Sequence, residues 1–132
     1  MTKAQELGQF AEDRAADYVI SLGWKVIARN VKINVDNVRG EIDIAAIDND
    51  GELVIIEVRC RTLGKIQSPL DSVGTRKLHA LVKAAMVFVN DLSWEKFWRI
   101  DIIGITLNEK QDLNDWTLEH VRDITAGANF SF

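Results

Sequence analysis

The sequence predicts an α/β domain with a mixed central β-sheet flanked by helices. Three observations predict it. Two long stretches carry apolar residues at helical spacing, short β-branched runs lie between and after them, and Asp48-Asn49-Asp50-Gly51 joins two such runs with hairpin chemistry. A length of 132 residues fits one domain over 1–132, because two separate cores would each be marginal.

The first helix spans about Lys3 to Leu22, where Leu7, Phe10, Ala11, Ala15, Tyr18 and Leu22 recur on one face, and Gly23 ends it. Trp24 to Arg29 reads as a strand. Asn30 to Arg39 is polar and without clear period, a loop or a ragged edge strand. Glu41 to Ile47 and Leu53 to Val58 form the hairpin. Gly64 to Thr75, with the only proline, Pro69, is loop-like. A second helix follows from Arg76 to Val89, striped by Leu78, Leu81, Val82, Ala85 and Val89 and capped by Thr75. Phe97 to Leu107 is a buried strand and Trp116 to Val121 a last one; 126–132 is expected to be a loosely held tail.

Hydrophobic content of 47% with 27% charged residues is ordinary for a globular protein. No run approaches the roughly 20 apolar residues that span a bilayer. The first residues lack the basic-then-apolar order of a signal peptide. The single cysteine, Cys60, excludes an internal disulfide and a thiolate zinc cluster, so a cytoplasmic protein is expected. A net charge of −4 argues against coating nucleic acid by bulk attraction. Between Arg59 and Lys83, however, six basic residues face Asp71 alone, a net +5 that leaves −9 elsewhere. That band suits either a local polyanion contact or a solvated face.

Hairpin register decides whether Asp43 and Glu57 can meet. A three-residue Asn49-Asp50-Gly51 loop, with Gly51 left-handed, pairs Asp48 with Glu52 and sets Asp43 opposite Glu57. Ile42 then faces Val58, Ile44 faces Ile56 and Ala46 faces Val54, all on the other side of the sheet. A two-residue Asp50-Gly51 turn would split the acids between faces. The first register separates acid from oil and is preferred. Adjacent carboxylates repel, and a hard divalent cation such as magnesium relieves that repulsion. Arg59 lies two residues from Glu57 and shares its face, where it can neutralise charge on a phosphoryl group. A structural ion network of Asp43, Glu57 and Arg59 is the alternative. Cys60 is expected in the core, away from the acids, and Trp24, Trp94, Trp98 and Trp116 mostly in packing. Arg99 and Asp101 read as a structural pair, and the two histidines as without a role.

The order Leu7-Gly8-x-x-Ala11-Glu12, Gly40-Glu41-Ile42-Asp43-Ile44 and Ile56-Glu57-Val58-Arg59-Cys60-Arg61 resembles the YraN-type family of small bacterial proteins assigned as endonucleases. Asn30, Val73 to Lys77 and Arg99-Ile100-Asp101 fit its later positions. The family is placed in the PD-(D/E)XK nuclease superfamily, with restriction enzymes and archaeal Holliday-junction resolvases. The resemblance implies a restriction-endonuclease-like core and metal-assisted phosphodiester hydrolysis. Asp43 and Glu57 match the metal-binding acids, and Glu12 the first-helix glutamate, flanked by Gly8 and Ala16, which are small enough to let it approach the sheet. Magnesium or manganese is the implied cofactor and nucleic acid, most simply DNA, the implied partner. A homodimer is conceivable because junction-cutting relatives act as dimers. Arg59 stands where the superfamily has lysine; it keeps its charge and cannot accept a proton. Arg61, Lys65 and Lys77 are the expected backbone grips. A catalytically weak nucleic-acid-binding module and a protein-interaction module remain the two other classes.

Overall fold

The hydrogen bonds of the chain start with a reciprocal cap. Thr2 Oγ1 accepts from the Gln5 amide at 3.1 Å while Gln5 Oε1 accepts from the Thr2 amide at 2.8 Å, opening helix α1 (Lys3–Ser21). Gly23, at φ +88°, turns the chain out of it, as expected of a glycine after a helix. The computed structural model describes residues 2–62, 69–109 and 112–125. The expected loose tail and Lys65 lie outside the described residues.

Strand β1 (Lys25–Val35) runs antiparallel to β2 (Val38–Ile47). The segment from Asn30 to Arg39, expected as a loop or ragged edge, is a closed hairpin. Its turn is Asp36-Asn37, both left-handed at φ +47° and +69°, the conformation that matches strand twist. The strand is paired on one side only, and Val31 and Ile33 face the α2-side core while Lys32 and Asn34 between and after them are exposed. Strand β3 (Leu53–Thr62) pairs antiparallel with β2. Helix α2 (Thr75–Asp91) then crosses over, so β4 (Trp98–Leu107) lies parallel to β3, and β5 (Trp116–Val121) closes the sheet antiparallel. Among the described residues the strand order is β1-β2-β3-β4-β5, a mixed five-stranded sheet with two helices. Thr75 is not the cap of α2: Gly74 holds that position with extended backbone and no side-chain bond.

Two cores lie on the two faces. Ala45, Leu53, Ile55, Ile100 and Ile102 pack beneath Leu81, Ala85 and Phe88 of α2. Ile44, Ala46, Val54, Ile56, Ile103 and Ile105 pack against Ala11, Ala15 and Val19 of α1. Central strands β3 and β4 are thus apolar on both sides, which is why they read as unbroken apolar runs. The buried stripe of α1 is made of Ala11, Glu12, Ala15, Ala16 and Val19, while Phe10, Tyr18 and Leu22 flank it. Among the described residues no helix is long and apolar enough to cross a membrane.

Candidate active site

The β2–β3 turn has the preferred register. Gly51, at φ +80°, donates to Asp48 O at 3.1 Å, and the Asp48 amide donates to Glu52 O at 3.0 Å. Ile47 then pairs with Leu53, Ala46 with Val54 and Ile44 with Ile56. Beyond Ile56 the regular ladder stops. The Val58 amide donates to Asp43 Oδ2 at 2.8 Å, so a side-chain oxygen replaces the next backbone acceptor. Across from Asp43 on the β1 side, Asn30 takes a left-handed φ of +54°. The strands fork here, with consequences for the expected faces. Ile42 joins the α2-side core and Ile44 the α1-side core although they are two residues apart. Ile42 and Val58 therefore do not share a face, and the simple division of acid from oil fails at Asp43.

Asp43 fills the fork. On its α1 side opens a cleft of 560 Å³ lined by Glu12, Asn30, Lys32, Glu41, Asp43, Val58 and Cys60 among others. Cys60 is not in the core away from the acids: it borders the same cleft as Glu12 and Asp43, and burial pushes its thiol pKa up. Gly8 also lines the cleft. A Cβ at Gly8 would meet nothing within 4 Å, so its smallness is not what brings α1 to the sheet.

Glu57 is buried at 5% exposure, with Lys77 Nζ at 3.9 Å and Arg59 Nη1 at 4.0 Å from its Oε1. The Asp43 and Glu57 carboxyls are electrostatic neighbours, each perturbing the other's proton affinity. Burial, reinforced by the Asp43 charge, pushes the Glu57 pKa up to about 7. Asp43 is also raised, by burial first, although the Val58 amide opposes the shift. The pair thus holds a proton that two exposed carboxylates would release.

Glu12 approaches from α1. Its Oε1 accepts from Arg29 Nε and lies 3.2 Å from Arg29 Nη2, and Arg29 also reaches Asp13 at 2.7 Å. Burial and then the Asp43 charge raise the Glu12 pKa despite that pairing. Glu12, Asp43 and Glu57 do not close into one tight trio. Among the described residues, the acids whose oxygens all lie within 4.8 Å of one another are Asp48, Asp50 and Glu52 on the β2–β3 turn. Asp48 is explained without a ligand. Burial opposes its charge, but the Glu52 amide, Arg99 at 2.7 Å and the Asp50 amide outweigh it and lower the pKa.

The basic residues divide. Arg59 donates from Nη2 to Ser72 O at 3.3 Å and from Nε to Ser72 Oγ at 3.4 Å, which pins it between Glu57 and the segment before α2. Lys77, from the first turn of α2, stands beside Glu57. Arg61 turns to Thr106 Oγ1 at 3.3 Å on β4.

Arg99 and Asp101 form the expected pair at 3.0 Å. His120, read above as without a role, joins that pair to α1. His120 Nε2 lies 2.8 Å from Asp101 Oδ2, and Nδ1 lies 3.0 Å from Tyr18 Oη. Trp24 packs edge-on to the His120 ring beneath Arg99, and Trp116 edge-on to Phe10, so these indoles are spent on packing.

Fold and site together define a small α/β domain with a forked sheet and paired carboxyls at the fork. The chain belongs to the uncharacterised protein family UPF0102, whose model matches residues 11–105. That span includes Glu12, Asp43, Glu57, Arg59 and Lys77. A UPF0102 protein from Marinobacter nauticus is 40% identical over 104 residues, 78% of this chain and 80% of the relative. One from Carboxydothermus hydrogenoformans is 36% identical over 122 residues, covering 91% and 95%. One from Chlorobium chlorochromatii is 31% identical over 120 residues, 89% of each chain.

Proposed function

We propose that this protein is a metal-dependent phosphodiesterase acting on nucleic acid, built on a restriction-endonuclease-like core. The observation that carries the reading is half-buried Asp43 in the β2–β3 fork and buried Glu57 as electrostatic neighbours, each perturbing the other's proton affinity, with Lys77 and Arg59 beside Glu57. Two carboxyls that resist joint ionisation are a poor structural pair and a good hard-oxygen donor set for magnesium or manganese. Asp43 and Glu57 would hold the cation, with Glu12 on the opposite wall of the cleft. A cation there supplies Lewis acidity and lowers the pKa of bound water.

The chain's own residues do the rest. The Arg59 guanidinium, fixed by Ser72, offers permanent charge to a phosphoryl oxygen. Lys77 brings an ammonium to Glu57 from α2 rather than from β3. A lysine function missing from the β3 position is thus available from another element. The test is incubation of linear duplex, single-stranded and four-way-junction DNA with magnesium or manganese against chelator. Metal-dependent cleavage lost in Asp43→Asn and Glu57→Gln is the expected result. No cleavage of any substrate by the parent, in either metal, overturns the reading.

A further inference from the structure

A second surface, separate from the carboxylate cleft, has the chemistry of a phosphate track. A groove of 640 Å³ lies between the tip of the β1–β2 hairpin and the exposed face of α2, lined among others by Asn37 and Arg39 on one wall and Arg76, His79, Ala80 and Lys83 on the other. Among the described residues no carboxylate lines it.

Its charge comes from two elements that only the fold brings together. Arg76, Ala80 and Lys83 follow at helical spacing, so the two cations stand about 10 Å apart along one face of α2. That separation lets the two cations reach different phosphates of one backbone. The first turn of α2 contains no acid, so its positive helix end adds to the field rather than being neutralised. Arg39 donates to Asn34 Oδ1 at 2.7 Å, a neutral partner that positions the guanidinium without cancelling it. Arg76 faces no carboxylate among the described residues. The walls are held in close contact below, where a Cβ on Gly40 would come within 3.1 Å of the Ala84 methyl carbon. The groove is therefore preformed. Within a chain of net charge −4, an acid-free basic groove selects a polyanion locally.

We propose that this groove binds the phosphodiester backbone of nucleic acid. The proposal names the surface that would hold the substrate of the activity proposed above, and rests on that reading for its purpose; binding itself requires no cleavage. Fluorescence anisotropy in chelator separates the two. Fluorescein-labelled duplex DNA, single-stranded DNA and single-stranded RNA are titrated with the full chain between about 50 and 200 mM salt. The arm that binds identifies the nucleic acid.

Arg76→Gln and Arg39→Gln should each weaken binding about eightfold at ~0.1 M salt and lower the salt slope by about one, as each removes one phosphate contact. Lys25→Gln, an exposed cation at the opposite end of β1 and outside the groove, should bind like the parent. Arg39→Gln gives up the Asn34 contact, so Arg76→Gln, at an exposed position, carries the test if the hairpin loosens. Parent-like affinity and slope in a folded Arg39→Gln/Arg76→Gln protein overturn the proposal, even if the parent cleaves. Failure of all three nucleic acids to bind the parent overturns it as well. Groove-dependent binding by a parent that never cleaves upholds the groove and removes the phosphodiesterase.

Discussion

Val58 donates its backbone N–H to Asp43 Oδ2 at 2.8 Å, where the β2–β3 ladder would otherwise continue. One side chain thereby ends the pairing, satisfies a buried donor and fixes its own carboxylate in the fork. The geometry places Asp43 between two halves of the site, with Glu12 on the α1 side and Glu57, Arg59 and Lys77 toward α2. It also gives Asp43 two separable roles, as hydrogen-bond acceptor and as charge.

Stability should fall as pH rises through the range set by Glu57. Its folded pKa of about 7 exceeds the ordinary 4.5, so the native state holds the proton more tightly than the unfolded chain. This contribution is fully present below pH 4.5 and is lost as pH climbs to about 7. Glu57→Gln cannot ionise and can donate to Asp43. It should stabilise the metal-free protein at pH 8 by on the order of 2 kcal/mol, or roughly 5–10 °C. It should also flatten the slope between pH 5 and 7. Thermal melts across pH check this, and identical pH slopes in the two proteins would contradict it.

Arg59 and Lys77 should separate by what replaces them. If Arg59 acts through charge, Arg59→Lys keeps or raises cleavage while Arg59→Ala loses it. Lys77→Ala should lower cleavage by about two orders of magnitude, the scale of losing one preorganised electrostatic group. Single-turnover rates in magnesium measure both. Full activity in Lys77→Ala would leave the ammonium beside Glu57 without a catalytic part.

The sequence made legible those features that depend on local burial. β5 begins and ends as read, α1 differs by one residue at its end, and the β2–β3 turn has the register of the preferred three-residue Asn49-Asp50-Gly51 loop. The second half of β1 reads as a loop or ragged edge although Val31 and Ile33 alternate with Lys32 and Asn34 and face the core; left-handed Asn30 interrupts the run before them, and the Asp36-Asn37 turn contains no glycine to mark the hairpin. The positions of Ile42 and Cys60 were misjudged because counting by twos assumes an unbroken strand, and the fork at Asp43 breaks it. His120 carried no local pattern. Its partners lie 102 and 19 residues away, and only the topology joins them. The band from Arg59 to Lys83 divides into Arg59 and Lys77 at the acids, Arg61 on Thr106, and Arg76 with Lys83 in the groove, a partition invisible to a charge count.

Gly104→Ala should damage the site from behind. A Cβ at Gly104 would overlap Pro69 Cγ, so the proline must move. Pro69 O accepts from Ser72 Oγ at 2.6 Å, and Ser72 in turn holds Arg59. Overpacking of this kind costs about 1–3 kcal/mol. The substitution should lower the melting temperature and, at temperatures where the protein stays folded, reduce cleavage in the same direction as Arg59→Ala. A Gly104→Ala protein as stable as the parent would show that the strap before α2 yields freely.

Magnesium and stability should be linked through Asp43. A cation that binds the native pair and not the unfolded chain must raise the melting temperature, by an amount that grows with its concentration. The response should shrink as acid protonates the pair, because the cation and the proton compete for the same oxygens. Asp43→Asn keeps an oxygen acceptor for the Val58 amide while removing one charge of the repelling pair. It should therefore stabilise the metal-free protein and abolish the magnesium response. Asp43→Ala removes the charge and the acceptor together, leaving a buried N–H unpaired at a cost of about 1–3 kcal/mol. Its metal-free form should be less stable than that of Asp43→Asn by that margin. Thermal titration of the three proteins against magnesium, with a chelator reference, gives every comparison. A parent indifferent to magnesium, together with a destabilised Asp43→Asn, would make the acids structural and end the metal-site reading.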